Sequence, residues 1–264
     1  MKIVVLVKQV PDMDTVKFDR EKGVIDRASA GVEVNPFDLN ALEAGIQLKD
    51  KLGAEVYVLS MGPPRAEETL KDAISRGADA GYLLTDRLFG GADCKATSKT
   101  LVAGIKKIGD VDLVIAGLQT VDGDTGQVGG EIAQYLGVPG ICSVSEIKDA
   151  TTEKITVVTD LWDGLYVKEI KYPCLLSVTK DVNIPRLPSF KDKIRARKAE
   201  ITSWTYEDIS EFVKPEEIGI KGSPTIVKKI EVPHLHKREG QQFRDDKAGA
   251  VFAFNEVLTN QKVF

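Results

Sequence analysis

The 264-residue sequence lacks most of the features that would assign it a chemistry at once. Its three cysteines, Cys94, Cys142 and Cys174, are far apart and odd in number. They form neither a metal-ligand spacing nor a redox pair, so free thiols in a reducing compartment are expected. The two histidines, His234 and His236, sit beside a Lys-Arg-Glu run with no further ligand near in sequence, and no metal site is expected. No apolar run approaches the roughly 18 residues that cross a bilayer. The short run at the start, KIVVLVK, leads into proline and acids rather than a cleavage site, so no signal peptide is expected. A net charge of -4 supplies no basic field for nucleic acid. Neither G-x-G-x-x-G nor G-x-x-x-x-G-K-[ST] occurs, which removes the usual dinucleotide fold and the P-loop NTPases. A cytoplasmic protein without membrane insertion or nucleic-acid partner is left.

What is present is an alternation of two periodicities. KIVVLVK (2–8) is a continuous β-branched run, as in a strand buried on both faces. PFDLNALEAGIQLKDKLG (36–53) has near-helical apolar spacing, with Pro36 suited to a first turn and Gly53 to a stop. Strand runs at 54–62, 80–86 and 111–117 then alternate with helical patterns at 64–77, 93–109 and 127–137. This rhythm predicts an α/β fold with a doubly wound, mostly parallel sheet. After Pro139 come four strand-like runs, ICSVSEIK, KITVVTDLW, LYVKEIKY and CLLSVTK, with a hairpin turn at Asp163-Gly164. They predict an antiparallel extension of the sheet. From about residue 183 the chain is charged and punctuated by proline, with too few apolar residues for an independent fold. An arm on another subunit is expected there, with a flexible tail as the alternative. Trp162 and Trp204 are expected to pack rather than to serve as stacking platforms.

The stretch GLQTVDGDTGQVGG (117–130) leaves a strand run and enters a helix, which is where open α/β sheets bind ligands. Asp124 and Gln127 have capping-box spacing and predict a helix start at that point. Val128, Ile132, Tyr135 and Leu136 share one face behind it. Gly126 and Gly129 leave first-turn N–H groups unobstructed, so a phosphate could sit there, favoured by the helix dipole. Asp122 and Asp124 would repel it unless they are engaged elsewhere. A capped loop without ligand fits the same residues.

The run VDGDTGQVG followed by LGVP resembles the nucleotide signature of the electron transfer flavoprotein β-subunit family. The resemblance extends through VKQVPD, VNPFDLNALEAGIQLKD, SMGPPRAEETLKDAISRGAD, VDLVIAGLQ, the Asp163-Gly164 pair and IPRLPSF. It covers residues 1–200 in order and weakens beyond them. It implies an adenine-nucleotide-hydrolase-like domain over 1–183, a partner recognition loop and following segment over 184–200, and a C-terminal arm over 201–264 wrapping an FAD-carrying α subunit. Nucleotide contacts are implied for Leu6, Asn35, Phe37, Asp38 and Met61. The rest would come from Gly117, Gln119, Val121, Asp122, Gly123, Asp124, Thr125, Gly126, Gln127 and Val128. The amides of Asp124, Thr125, Gln127 and Val128 would hold phosphate.

Housekeeping members of that family hold AMP here, whereas bifurcating members hold a second FAD and accept hydride from NADH. DRLFGGADCKATS (86–98) resembles the bifurcating type, with Gly90, Gly91, Ala92, Asp93 and Thr97 bordering flavin and nicotinamide. The Gly-Gly pair permits close approach to a flat ring, and Asp93 with Thr97 opens the next helix. An ordinary glycine loop with a cap fits them too. One electron would leave for ferredoxin or flavodoxin, and the other would pass through the α-subunit FAD to an acyl-CoA dehydrogenase-type partner. Such a subunit needs no acid–base dyad or nucleophile, and none is evident. Leu187, between Pro185 and Pro188, would anchor the dehydrogenase. Lys191, Lys193, Arg195, Arg197 and Lys198 form a basic run that could steer an acidic partner or be a solvated face. GAVFAFNEVLTNQKVF at the C-terminus is apolar enough to dock. Two alternatives stand beside this: an electron carrier with structural AMP, and a nucleotide-sensing module of the universal-stress type. The antiparallel extension and IPRLPSF disfavour the second.

Overall fold

The computed structural model describes residues 1–12, 17–19, 24–26, 31–226 and 247–260. Strand β1 (Lys2–Leu6) is followed by four short strands: β2 (Gln9–Pro11), β3 (Lys17–Asp19), β4 (Val24–Asp26) and β5 (Val32–Val34). Of these, β2 pairs with β5 and β3 with β4, both antiparallel. Helix α1 (Pro36–Leu52) starts with Pro36 in its first turn and stops at Gly53, whose φ of 68° is left-handed backbone that glycine adopts without strain. Then β6 (Glu55–Met61), α2 (Glu67–Arg76), β7 (Ala80–Leu84), α3 (Cys94–Ile108), β8 (Leu113–Gly117) and α4 (Val128–Leu136) alternate as the two periodicities predict. Strands β9 (Gly140–Ala150), β10 (Lys154–Leu161), β11 (Gly164–Lys171) and β12 (Cys174–Val178) follow.

The large sheet has nine strands in the order β11-β10-β9-β12-β8-β1-β6-β7-β13, the last being Thr202–Trp204. Strands β9, β10 and β11 pair antiparallel, as expected. Strand β12 does not join that extension. It inserts between β8 and β9 and runs parallel to both. All five of its residues are buried, the continuous burial of an interior parallel strand. The hairpin from β10 to β11 pairs Leu161 with Gly164, so its two turn residues are Trp162 and Asp163, one position earlier than expected. Trp162 is 97% exposed at that tip and does not pack, whereas Trp204 is buried and stacks on Tyr82 with ring centroids 4.7 Å apart.

Helices cover both faces. One core joins α1 and α2 to the sheet through Ile3, Val5, Leu42, Ile46, Val56 and Leu70. The other joins α3 and α4 through Val4, Leu59, Leu84, Leu101, Val114 and Ile132. The first compact unit runs from Met1 to Lys228. It therefore includes α5 (Phe190–Arg197), β13 on the β7 edge, and two short helices, α6 (Tyr206–Ile209) and α7 (Gly219–Gly222). Trp204, Ile209, Val213 and Ile218 of this segment are buried in the second core. Its few apolar residues thus suffice because they borrow an existing core instead of building one. The second unit, Lys229–Phe264, contributes helix α8 (Lys247–Asn260), whose Val251, Phe252 and Phe254 are exposed. Among the described residues no helix is long and apolar enough to cross a membrane, and no group of His, Cys, Asp or Glu could hold a metal ion. His234 and His236 lie outside the described residues.

Candidate functional site

The chain runs from β1 outward through β6 and β7 on one side, and through β8 and β12 on the other. The crevice beyond the carboxyl ends of β1 and β8 is therefore the topological switch point of the sheet. A cavity of about 550 Å³ opens there, within the range of nucleotide-sized pockets. Leu6, Leu59, Met61, Phe89, Leu101 and Ala116 make its apolar side, while Lys8 and Asp38 stand at the strand ends. Gly91, Ala92, Asp93, Cys94 and Thr97 form one wall. Gly117, Gln119, Gly123, Thr125, Gly126, Gln127 and Val128 form the opposite wall.

That second wall is shaped by main-chain bonds. Leu118 N donates to Val178 O at 2.8 Å and Asp124 N to Thr120 O at 2.8 Å, closing a turn that puts Asp124 at φ 53° and Gly126 at φ 64°. Helix α4 begins only at Val128, and Gln127 makes no side-chain cap, so the expected capping box is absent. The reason is the turn: left-handed backbone at Asp124 aims its carboxylate at the Gln119 amide instead. Asp122 is engaged as well, by the Lys8 amine at 2.9 Å from each carboxylate oxygen. Burial pushes the Asp122 carboxyl up, but the Lys8 and Thr120 donors outweigh it and hold it below the usual carboxylate range. Both acids that would repel an anion are thus occupied. Among the described residues, no acceptor meets the N–H groups of Thr125, Gly126, Gln127 or Val128. Four successive donors at a helix N-terminus make an anion cradle. The Asp124 amide is not one of them, being already bonded to Thr120, and the Gly126 amide takes its place.

Six of the expected contact residues do not line the cavity. Asn35 donates from Nδ2 to Gln119 O at 2.9 Å and accepts from Val121 N at 3.2 Å, so it holds the loop rather than lining the space. Phe37 packs against the backbone of Gly117, where an added Cβ would lie 2.7 Å from Phe37 Cβ and 2.3 Å from Asp38 Oδ1. Gly117 is therefore needed for this close approach, whatever the ligand. Val121, Asp122 and Asp124 form the outer turn, and Gly90 ends a single 3-10 turn. Asp38 does line the cavity yet is 5% exposed, and burial pushes its carboxyl up to about 7, against donation from Asn35 and the backbone N–H groups of Lys8 and Gly117.

On the first wall, Asp93 caps α3, its Oδ1 accepting from Ala96 N at 3.1 Å, and Thr97 N donates to Asp93 O at 2.9 Å. Gly91, at φ 69°, has left-handed backbone that favours glycine, and an added Cβ would also lie 2.5 Å from the Ile220 side chain of α7. Cys94 Sγ donates across the cavity to Thr125 Oγ1 at 3.3 Å. Lys8, Cys94 and Thr225 also line the space although they were not among the expected contacts. Lys8 and Cys94 lie inside the quoted stretches VKQVPD and DRLFGGADCKATS, whereas Thr225 comes from an element remote in the chain.

A family model described as the electron transfer flavoprotein domain matches residues 22–209. The chain belongs to the electron transfer flavoprotein family. It is similar to an electron transfer flavoprotein subunit beta of Clostridium acetobutylicum, 48% identical over 230 residues and 87% of each chain. It is also similar to the caffeyl-CoA reductase-Etf complex subunit CarD of Acetobacterium woodii, 47% identical over 228 residues and 86% of each. A subunit beta of Thermoanaerobacterium thermosaccharolyticum aligns over 264 residues and 100% of each chain at 40% identity. This chain is an electron transfer flavoprotein β subunit.

In this flavoprotein subunit the loop before α5 is organised in the opposite manner to the cradle. The Arg186 guanidinium donates to Glu43 through Nε at 2.8 Å and Nη2 at 3.1 Å, and Arg186 N donates to the same carboxylate at 3.1 Å. Asp50 accepts from Nη2 at 2.9 Å, and Arg76 donates to Arg186 O at 2.9 Å. Asn40 holds the carbonyls of Lys180 and Asn183. With its main chain tied this way, the loop leaves Leu187 87% exposed, beside exposed Ile184 and Phe190.

Proposed function

We propose that this β subunit, paired with an FAD-carrying α subunit, binds FAD in the switch-point cavity and accepts hydride from NADH. Electrons then go to ferredoxin or flavodoxin and, through the α-subunit FAD, to an acyl-CoA dehydrogenase-type partner. The observation that carries this is the row of unbonded amides at Thr125–Val128 facing a cavity whose other wall is Gly91–Thr97. A diphosphate matches four donors backed by the α4 dipole. An apolar side made by Leu59, Phe89 and Leu101 suits a flat ring system. The similarity to CarD, a subunit of a reductase–Etf complex, favours the bifurcating over the housekeeping form.

A bound flavin would supply the redox chemistry, taking hydride and releasing electrons singly. The chain's own residues bind and orient. Lys8 neutralises Asp122 at the cavity edge, Asn35 fixes the loop, and Asp38 presents a buried, polar floor. Leu187, Ile184 and Phe190 form the dehydrogenase docking surface, and the second unit is the arm that engages the α subunit. The test is a flavin count on the purified heterodimer. Two flavins per heterodimer, both bleached by NADH, is the expected result. One flavin with one AMP identifies the housekeeping form, and a colourless nucleotide-bound protein defeats both.

A further inference from the structure

The segment after β13 returns to the cavity and becomes part of its wall. It enters α7 at Gly219, where φ is 54° and a Cβ would lie 1.9 Å from Leu88 O, so only glycine lets the chain pass this close to the loop before Gly90. Ile220, 63% exposed, is held over Gly91. Ser223 Oγ accepts from Asp93 N at 2.8 Å and donates to Gly219 O at 2.7 Å. Asp93 Oδ2 accepts from Thr225 N at 3.1 Å and Thr225 Oγ1 at 2.9 Å, and Thr225 lines the cavity. The two carboxylate oxygens of Asp93 are thereby divided: Oδ1 caps α3 and Oδ2 fastens the strap. Burial pushes this carboxyl up, yet the Ala96 and Thr225 donors hold it below the usual carboxylate range, so the latch carries a negative charge at neutral pH.

We propose that residues Gly219–Thr225 are a strap of the nucleotide site, latched by Asp93, and that Ser223 and Thr225 are positioning residues that slow the escape of a bound adenine nucleotide. The inference rests on the nucleotide reading of the cavity. A cap alone would need one oxygen of Asp93. The second oxygen, three strap donors and acceptors, and a cavity-lining threonine are what a wall requires. Because the strap faces Gly91–Cys94 and not the amides of 125–128, it governs retention and leaves the phosphate cradle intact.

The test uses the intact heterodimer and two independent ways of opening the latch. Asp93→Asn keeps the cap, since asparagine is a good N-cap, but replaces the strap's acceptor. Ser223→Ala with Thr225→Val removes the strap hydroxyls and leaves Asp93 untouched. Deuterium exchange of 219–225 is measured without nucleotide, and dissociation rates are measured for FAD and, separately, AMP. Faster strap exchange in both variants, with release of the retained nucleotide accelerated about ten-fold, is expected; that factor corresponds to ~1.4 kcal/mol. Unchanged strap exchange overturns the latch. Faster exchange with unchanged release of both nucleotides overturns the role in the site. A wild-type protein that retains neither nucleotide overturns the nucleotide reading and this inference with it.

Discussion

The loop that leaves β8 and the loop that leaves β12 differ in what they offer to the outside. The first, Gly117–Val128, has its polar side chains engaged: Asn35 holds its carbonyl, Lys8 its Asp122, and Gln119 its Asp124, while main-chain N–H groups stay free. The second, residues 183–189, has its main chain held by the side chains of Glu43, Arg76 and Asn40 and its Arg186 held by salt bridges, and leaves apolar side chains free. Main-chain donors recognise charge without specifying a partner's shape, which suits a phosphate. Preorganised apolar side chains in a pinned loop suit a protein surface, because little ordering entropy remains to be lost on docking. Both loops hang from one helix. Asp38 in the first turn of α1 grips the side of the first loop, while Asn40 and Glu43 grip the second.

The largest effect that would sharpen this contrast lies in the two buried carboxyls of α1. Asp38 meets mainly uncharged donors and its carboxyl is raised from 3.8 to about 7, whereas Glu43 meets a guanidinium. Between those values folded Asp38 keeps a proton that the unfolded chain has lost. Its contribution to stability is full below about pH 4 and falls as pH rises to about 7, by on the order of 4 kcal/mol. Urea melts across that interval should show the decline, and Asp38→Asn should flatten it. Next, Thr125→Glu sets a carboxylate against the free amides. Nucleotide affinity should drop about 100-fold, ~2.7 kcal/mol, with the melting temperature preserved. If titration calorimetry shows full affinity, the cradle is not where phosphate binds.

Glu43→Ala attacks the other loop. Losing charge-assisted bonds to a half-exposed arginine should cost about 2 kcal/mol. Deuterium exchange should rise over 184–189 and stay constant over 117–128, and equal changes in both loops would show that they are not separately anchored. The smallest effect belongs to Lys8→Gln, which strands Asp122 beside the anion site. A roughly ten-fold loss of nucleotide affinity is expected, enlarged at low ionic strength. Adding Asp122→Asn should restore part of it; no rescue would mean that Lys8 acts elsewhere.

The alternation of strands and helices was legible because it rests on local periodicity: Pro36, Gly53, Asp93 and Gly109 mark helix ends where the sequence places them. The free amides were half legible. Glycine spacing pointed to the right loop, but the left-handed turn at Asp124 moved the helix start to Val128 and exchanged one donor for another. Direction in the sheet was misjudged at β12, although CLLSV, apolar at nearly every position beside the alternating LYVKEIKY, carried the mark of an interior strand. The side-chain locks were not legible at all. Lys8 with Asp122, Asp93 with Thr225, and Glu43 with Arg186 are separated by 114, 132 and 143 residues, beyond any local pattern.

Amide exchange over the cradle is the most direct measurement. With the heterodimer saturated by FAD or AMP, the N–H groups of Thr125, Gly126, Gln127 and Val128 should become protected, while that of Asp124, already bonded to Thr120, should change least. Bound nucleotide with unaltered exchange at those four amides would contradict the claim that they hold its phosphates.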